Sequence, residues 1–190
     1  MKLFALALLL APLPLAAQTD AMPPETKAPA QQGDMAGMHS EVKPAVKESK
    51  FLSITFRGAT TTLTLTDLVK LPQTTIHVHD AHANKDVTFT GPLVSDVLAR
   101  AGLVPSEDTH QLILHSTVIA TGADGYYVVY SAAELEQMFS GAKAIVAIMR
   151  FDLPNTEGGL IQLVNTADIR PARWVHGLAS LNVMSLAQNK

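Results

Sequence analysis

The chain has 190 residues, a formal net charge of −3 with its basic residues scattered, and no cysteine. That charge leaves no electrostatic footprint for a nucleic-acid partner. The missing thiol excludes disulfides, iron–sulfur clusters, covalently attached c-type haem, a lipid-modified cysteine and thiol catalysis, so the core alone must hold the fold.

In chain order, Lys2 precedes an apolar run broken by Pro12 and Pro14 and ending at Ala16 and Ala17. This pattern predicts a secretory signal peptide over 1–17 and a periplasmic or secreted protein, because the run is too short for a membrane span. Residues 18–50 hold no aromatic residue and show neither helical nor strand period. A disordered tether is expected there. Within it, Met35, Met38 and His39 offer two thioethers and an imidazole, donors suited to copper(I).

From Phe51 onward the texture becomes β-branched, and one folded domain is expected over 51–190. Residues 51–56 and 59–65 read as a hairpin, followed by a helical turn capped by Thr66 and Asp67 and closed by Pro72. Strands are expected at 74–79 and 87–90 around the polar loop DAHANKD. Leu93, Val97, Leu98 and Ala101 recur at helical spacing, with Pro92 before them and Gly102 after. Further strands are expected at 112–121, 126–130, 144–149, 160–164 and 180–184. Ser131 and Glu134 form an S-x-x-E capping box opening a second helix that should end near Gly141. Strands outnumber helices without alternating regularly with them. The expected class is α+β, with β-rich mixed sheets and two or three short helices.

Three constellations carry candidate chemistry. His77, His79 and His82 form H-x-H-x-x-H around Asp80. On a strand, positions i and i+2 share a face at roughly 6.6 Å, so two imidazoles can converge on zinc or copper, with His82 or Asp80 as a third ligand. Exposed polar residues on a hairpin are the simpler reading. Arg170 and Arg173, with Gly158 and Gly159 nearby, can frame a phosphate or carboxylate, and His176 is compatible with such a site. Alternatively the arginines pair with Asp168 and Asp152. Asp124 and Tyr126, with Tyr127 and Tyr130, combine an acid with aromatic walls, although Asp124 beside Gly125 also suits a turn, and strand alternation puts Tyr127 opposite Tyr126 and Tyr130. No nucleophile stands with a base and an orienting group. No reaction follows.

Five stretches in order resemble the oxidoreductase molybdopterin-binding domain of sulfite-oxidase-like fold. They are TLTDLVKLP ending at Pro72, FTGPLVSDVLARAG at 89–102, ATGADGYYVVYSAAEL at 120–135, AIVAIMRFDLP at 144–154 and GGLIQLVNTADIRPARWVHGLASLNV at 158–183. The resemblance implies that architecture for the folded part, with the C-terminal stretch close to the cofactor and Arg173 where a basic residue precedes the tryptophan. In the family's enzymes a cysteine thiolate ligates molybdenum. This chain has none, so molybdenum catalysis of that type is not expected. The reading is an exported single-domain protein that retains the scaffold and binds a small or anionic ligand near Arg170, Arg173 and His176. Periplasmic copper or zinc binding through the histidines is the alternative, and a molybdopterin-dependent oxidoreductase the lesser one.

Overall fold

A computed structural model describes residues 45–186. The expected signal peptide, most of the expected tether, and Met35, Met38 and His39 lie outside the described residues.

The first hairpin pairs β1 (Phe51–Phe56) with β2 (Ala59–Thr64) in the register Phe51↔Thr64. Arg57 and Gly58 turn it with φ of 51° and 79°, the paired positive angles that match the twist of the strands. Helix α1 (Leu65–Val69) starts two residues before the expected position, because Thr64 is its cap. The Thr64 hydroxyl accepts the Asp67 N–H at 3.2 Å while the Asp67 carboxylate accepts the Thr64 N–H at 3.1 Å. A second hairpin follows, β3 (Thr74–Asp80) with β4 (Lys85–Gly91), and then α2 (Val94–Ala99).

The segment expected as one strand over 112–121 divides into α3 (His110–Leu114) and β5 (Ser116–Gly122). Thr109 supplies the reason. Its hydroxyl accepts the Ser106 N–H at 2.8 Å and donates to the Val104 carbonyl at 2.7 Å, fixing a 3-10 turn from which the helix continues. A short apolar run such as Leu112 to Leu114 reads equally well in either conformation. Strand β6 (Tyr127–Ser131) leads into α4 (Ala132–Leu135), where the Ser131 and Glu134 capping box is present. This helix stops well short of Gly141. Glu136 is already extended (φ −104°, ψ 123°), and its carbonyl accepts the N–H groups of Phe139 and Ser140, so a turn replaces further helix.

The expected strand 144–149 also divides, at Ile148, into β7 (Ala144–Ala147) and β8 (Met149–Arg150), which belong to different sheets. Then come β9 (Leu153–Pro154), β10 (Gln162–Asn165) and β11 (Leu178–Ser185). The largest sheet has the order β2-β1-β11-β5-β6, with β1 and β11 parallel and its other pairs antiparallel. The others are a β3-β4-β8-β9 sheet and a β10-β7 ribbon. This is the α+β class with mixed sheets.

Alternation along β7 explains how the sheets share the interior. Ala144 and Val146 face a main core with Leu52, Ile54, Leu181 and Val118 from the five-stranded sheet, while Ile145 and Ala147 face a smaller core with Ile76, Val87, Phe89 and Trp174. A strand buried on both faces has no polar side, which is why 144–148 reads as an unbroken apolar run. Among the described residues, no helix is long and apolar enough to cross a membrane.

Candidate functional site

A cavity of about 1040 Å³ opens at the end of the smaller core, where the buried Phe89 and Trp174 back its wall. Four pieces of chain enclose it. The β3–β4 hairpin contributes Asp80, His82 and Lys85. Phe89 and Arg150 come from β4 and β8, Gln162 from β10, and Arg170, Trp174 and His176 from the segment before β11. Val46 lies at the rim, in a segment tied down where the Ser49 N–H donates to the Gly159 carbonyl at 3.0 Å.

Arg150 is the most enclosed cation. Its side chain is 12 % exposed, its Nη1 donates to the Glu157 carboxylate, and its guanidinium lies 5.7 Å from the Phe89 ring centre and 5.8 Å from that of Phe151. Its buried Nε has no hydrogen-bond partner among the described residues. The same is true of the buried Trp174 Nε1, whose ring packs edge-on against Phe89 at 5.7 Å and 85°. A buried N–H without an acceptor costs roughly 1–3 kcal/mol. Two of them in one cavity wall suit a ligand that accepts hydrogen bonds. Arg170 is exposed and forms no ion pair among the described residues.

The residues expected at a site fall into three groups. Arg170, His176 and His82 do meet at the cavity. Arg173 does not line it. Its guanidinium stacks 4.5 Å over Tyr130 and reaches Glu134 and Asp168, each at 3.4 Å. Asp168 is the one acid of the expected Asp168 and Asp152 pairing that an arginine meets. Burial pushes its carboxyl above the usual range, and the Arg173 charge partly offsets this. The phenol of Tyr130, buried beside Asp168, is pushed up as well. Asp124 serves the turn, accepting the Tyr126 N–H at 2.9 Å with Gly125 at φ 89°. Tyr126 and Tyr130 share a side, the first exposed and the second buried, while Tyr127 is exposed. Their hydroxyls donate to the Ala172 and Arg173 carbonyls, so they hold the 3-10 turn Pro171–Arg173 that follows Arg170. These residues position the wall and do not line it.

The histidine cluster is split by the hairpin's two faces. His77 Nδ1 lies 3.0 Å from the Thr88 hydroxyl and His79 Nδ1 2.9 Å from the Asp86 carboxylate, both on the exposed side, whereas His82 turns to the cavity. Asp80 closes the loop by accepting the His82 and Ala83 N–H groups at 3.0 and 3.1 Å. Among the described residues, no three His, Asp or Glu gather to hold a metal ion. Replacing His77, His79 and His82 together by alanine should leave zinc and copper affinities within about twofold of the parent. A tenfold loss in a competition titration would restore the cluster as a site.

Sequence reasoning missed Arg150, Lys85 and Gln162. Arg150 had a signal, being the one charge in the apolar run 144–151. Charged residues enter such runs when something buried needs them.

No protein family and no curated protein matches the sequence. The fold, in contrast, is shared with solved structures and agrees with the expected sulfite-oxidase-like architecture. One solved structure it is similar to is the sulfane dehydrogenase SoxCD from Paracoccus pantotrophus, with a TM-score of 0.56 at 16 % identity over 76 % of this chain. The chain spans 41 % of that chain's length. Similarity at this level establishes the fold, while function must be argued from the site.

The cofactor implied by that fold meets a mismatched donor set here. The cavity wall offers guanidinium, ammonium, imidazole and indole nitrogen, and the chain has no thiol. These residues do not fit a molybdenum centre held by a protein thiolate.

Proposed function

We propose that the protein is an exported binding protein that takes a small anionic ligand with an aromatic or apolar body into this cavity. The observation that carries the reading is the pair of buried, partnerless N–H groups of Arg150 and Trp174 in a wall that also presents Arg170. Guanidinium and indole donors together supply charge-assisted hydrogen bonds to a phosphate, sulfonate or carboxylate. Ile169 and Pro171 supply apolar surface beside them, backed by the buried Phe89 and Trp174 rings. The absent thiolate weighs against molybdenum redox chemistry and favours binding as the role.

Trp174 is the chain's only tryptophan, so its emission reports on the cavity. Titration with inorganic phosphate and with a pterin monophosphate should give a saturable change for at least one of them. Arg170→Ala should weaken that binding about tenfold, the loss of one charge-assisted hydrogen bond. No emission change with either probe, or an unchanged affinity in Arg170→Ala, overturns the reading. Elemental analysis of protein purified without a histidine tag tests the enzymatic alternative, since stoichiometric molybdenum with pterin fluorescence would reinstate it.

A further inference from the structure

Among the described residues, nothing buries the outer face of the five-stranded sheet. Side chains alternate along its strands, so Leu52, Ile54, Leu181 and Val118 point to the core and their neighbours point away. None of those outward positions is buried. They carry threonine, serine, asparagine, isoleucine, valine, methionine, phenylalanine and tyrosine, and no charged residue from β2 through β1, β11 and β5 to β6. Phe51, Tyr127, Val129 and Met184 stand out as exposed apolar side chains, 53, 63, 52 and 48 % accessible. Asn182 sits on β11, the central strand.

We infer that this face is a self-association surface occupied by a second copy of the chain, packed sheet on sheet. Two features select a second copy. A two-fold contact sets each residue against its own surroundings, so any charge near the axis meets its like. This face has none to meet, and its hydroxyls and Asn182 amide both donate and accept, which makes the pattern complementary to itself. The area agrees with a weak dimer. Five strands about 4.8 Å apart and about five residues long cover a patch roughly 20 Å on a side, and with pleating and side chains two such patches remove on the order of 1,200 Å² from water. That is the low end for a specific interface. Such a dimer exchanges with monomer at micromolar concentration or above.

Sedimentation velocity of the purified full chain between about 5 and 500 μM tests this. The parent should shift from monomer toward dimer across the range. Asn182→Lys, which sets two ammonium groups against each other near the axis, should weaken association at least tenfold while leaving the melting temperature of dilute protein unchanged. Thr121→Lys, on neighbouring β5, should act in the same direction. A parent that stays monomeric throughout overturns the inference and leaves the face to a different protein. So does a dimer that survives both substitutions, since it must use another surface.

Discussion

Gly91→Ala should lower stability by about 3 kcal/mol or more and the melting temperature by about 10 °C. Gly91 ends β4 where it crosses β7. A Cβ there would overlap the Val146 carbonyl oxygen and lie 2.7 Å from the Val146 carbonyl carbon and 2.9 Å from the Ala147 Cα. All three are backbone atoms. Neither chain can retreat, because the Val146 N–H donates to the Pro92 carbonyl at 2.8 Å and the Ile148 N–H to the Thr90 carbonyl at 3.0 Å. Moving them would also separate the two cores that β7 divides. A thermal melt within about 2 °C of the parent would show that this crossing is looser than its hydrogen bonds indicate.

Arg173→Ala should cost about 2 kcal/mol near neutral pH, because it leaves the Asp168 carboxylate, 2 % exposed, without its cation. The pH dependence separates charge from packing. Burial raises the Asp168 carboxyl in the folded protein, so its contribution is fully present below the unfolded value, about 3.9, and is lost as pH rises through the raised folded value. Arg173 limits that loss. Without it the loss is larger, so the gap between parent and variant should widen as pH rises through the carboxylate range and narrow in acid. Urea unfolding at pH 3.5 and pH 7 reads both ends. Equal gaps would assign the cost to the stacking of Arg173 over Tyr130.

Most of the strands were legible because their signals are local. The β1–β2 hairpin shows β-branched alternation around Arg57 and Gly58, and the capping box at Ser131 needs only four residues. The order of five family-like stretches carried the architecture. What failed to show was set by contacts distant in sequence. The break at Ile148 depends on Thr90, and the fate of Arg173 depends on Glu134 and Tyr130. In the site, Arg170 and His176 stood out through the C-terminal stretch. Arg150 did not, because its partner Glu157 lies across the β8–β9 turn and its aromatic neighbour Phe89 on another strand. H-x-H-x-x-H does not come together in one place, since His77 and His79 share a strand face while His82 lies in the turn that follows.

The place of β11 bears on when the molecule can fold. It pairs with β1 on one side and β5 on the other, at the middle of the largest sheet, yet it is the last strand in the described sequence. Until residues 178–185 leave the ribosome, β2 and β1 have no link to β5 and β6 within that sheet, and the faces that will hold Ile54 and Val118 stay wet. An N-terminal fragment therefore has no stable stopping point, and the pairing that closes the structure spans most of the domain, which slows it. The largest sheet closes only once residues 178–185 are made, and until then the segments on either side of it remain unlocked.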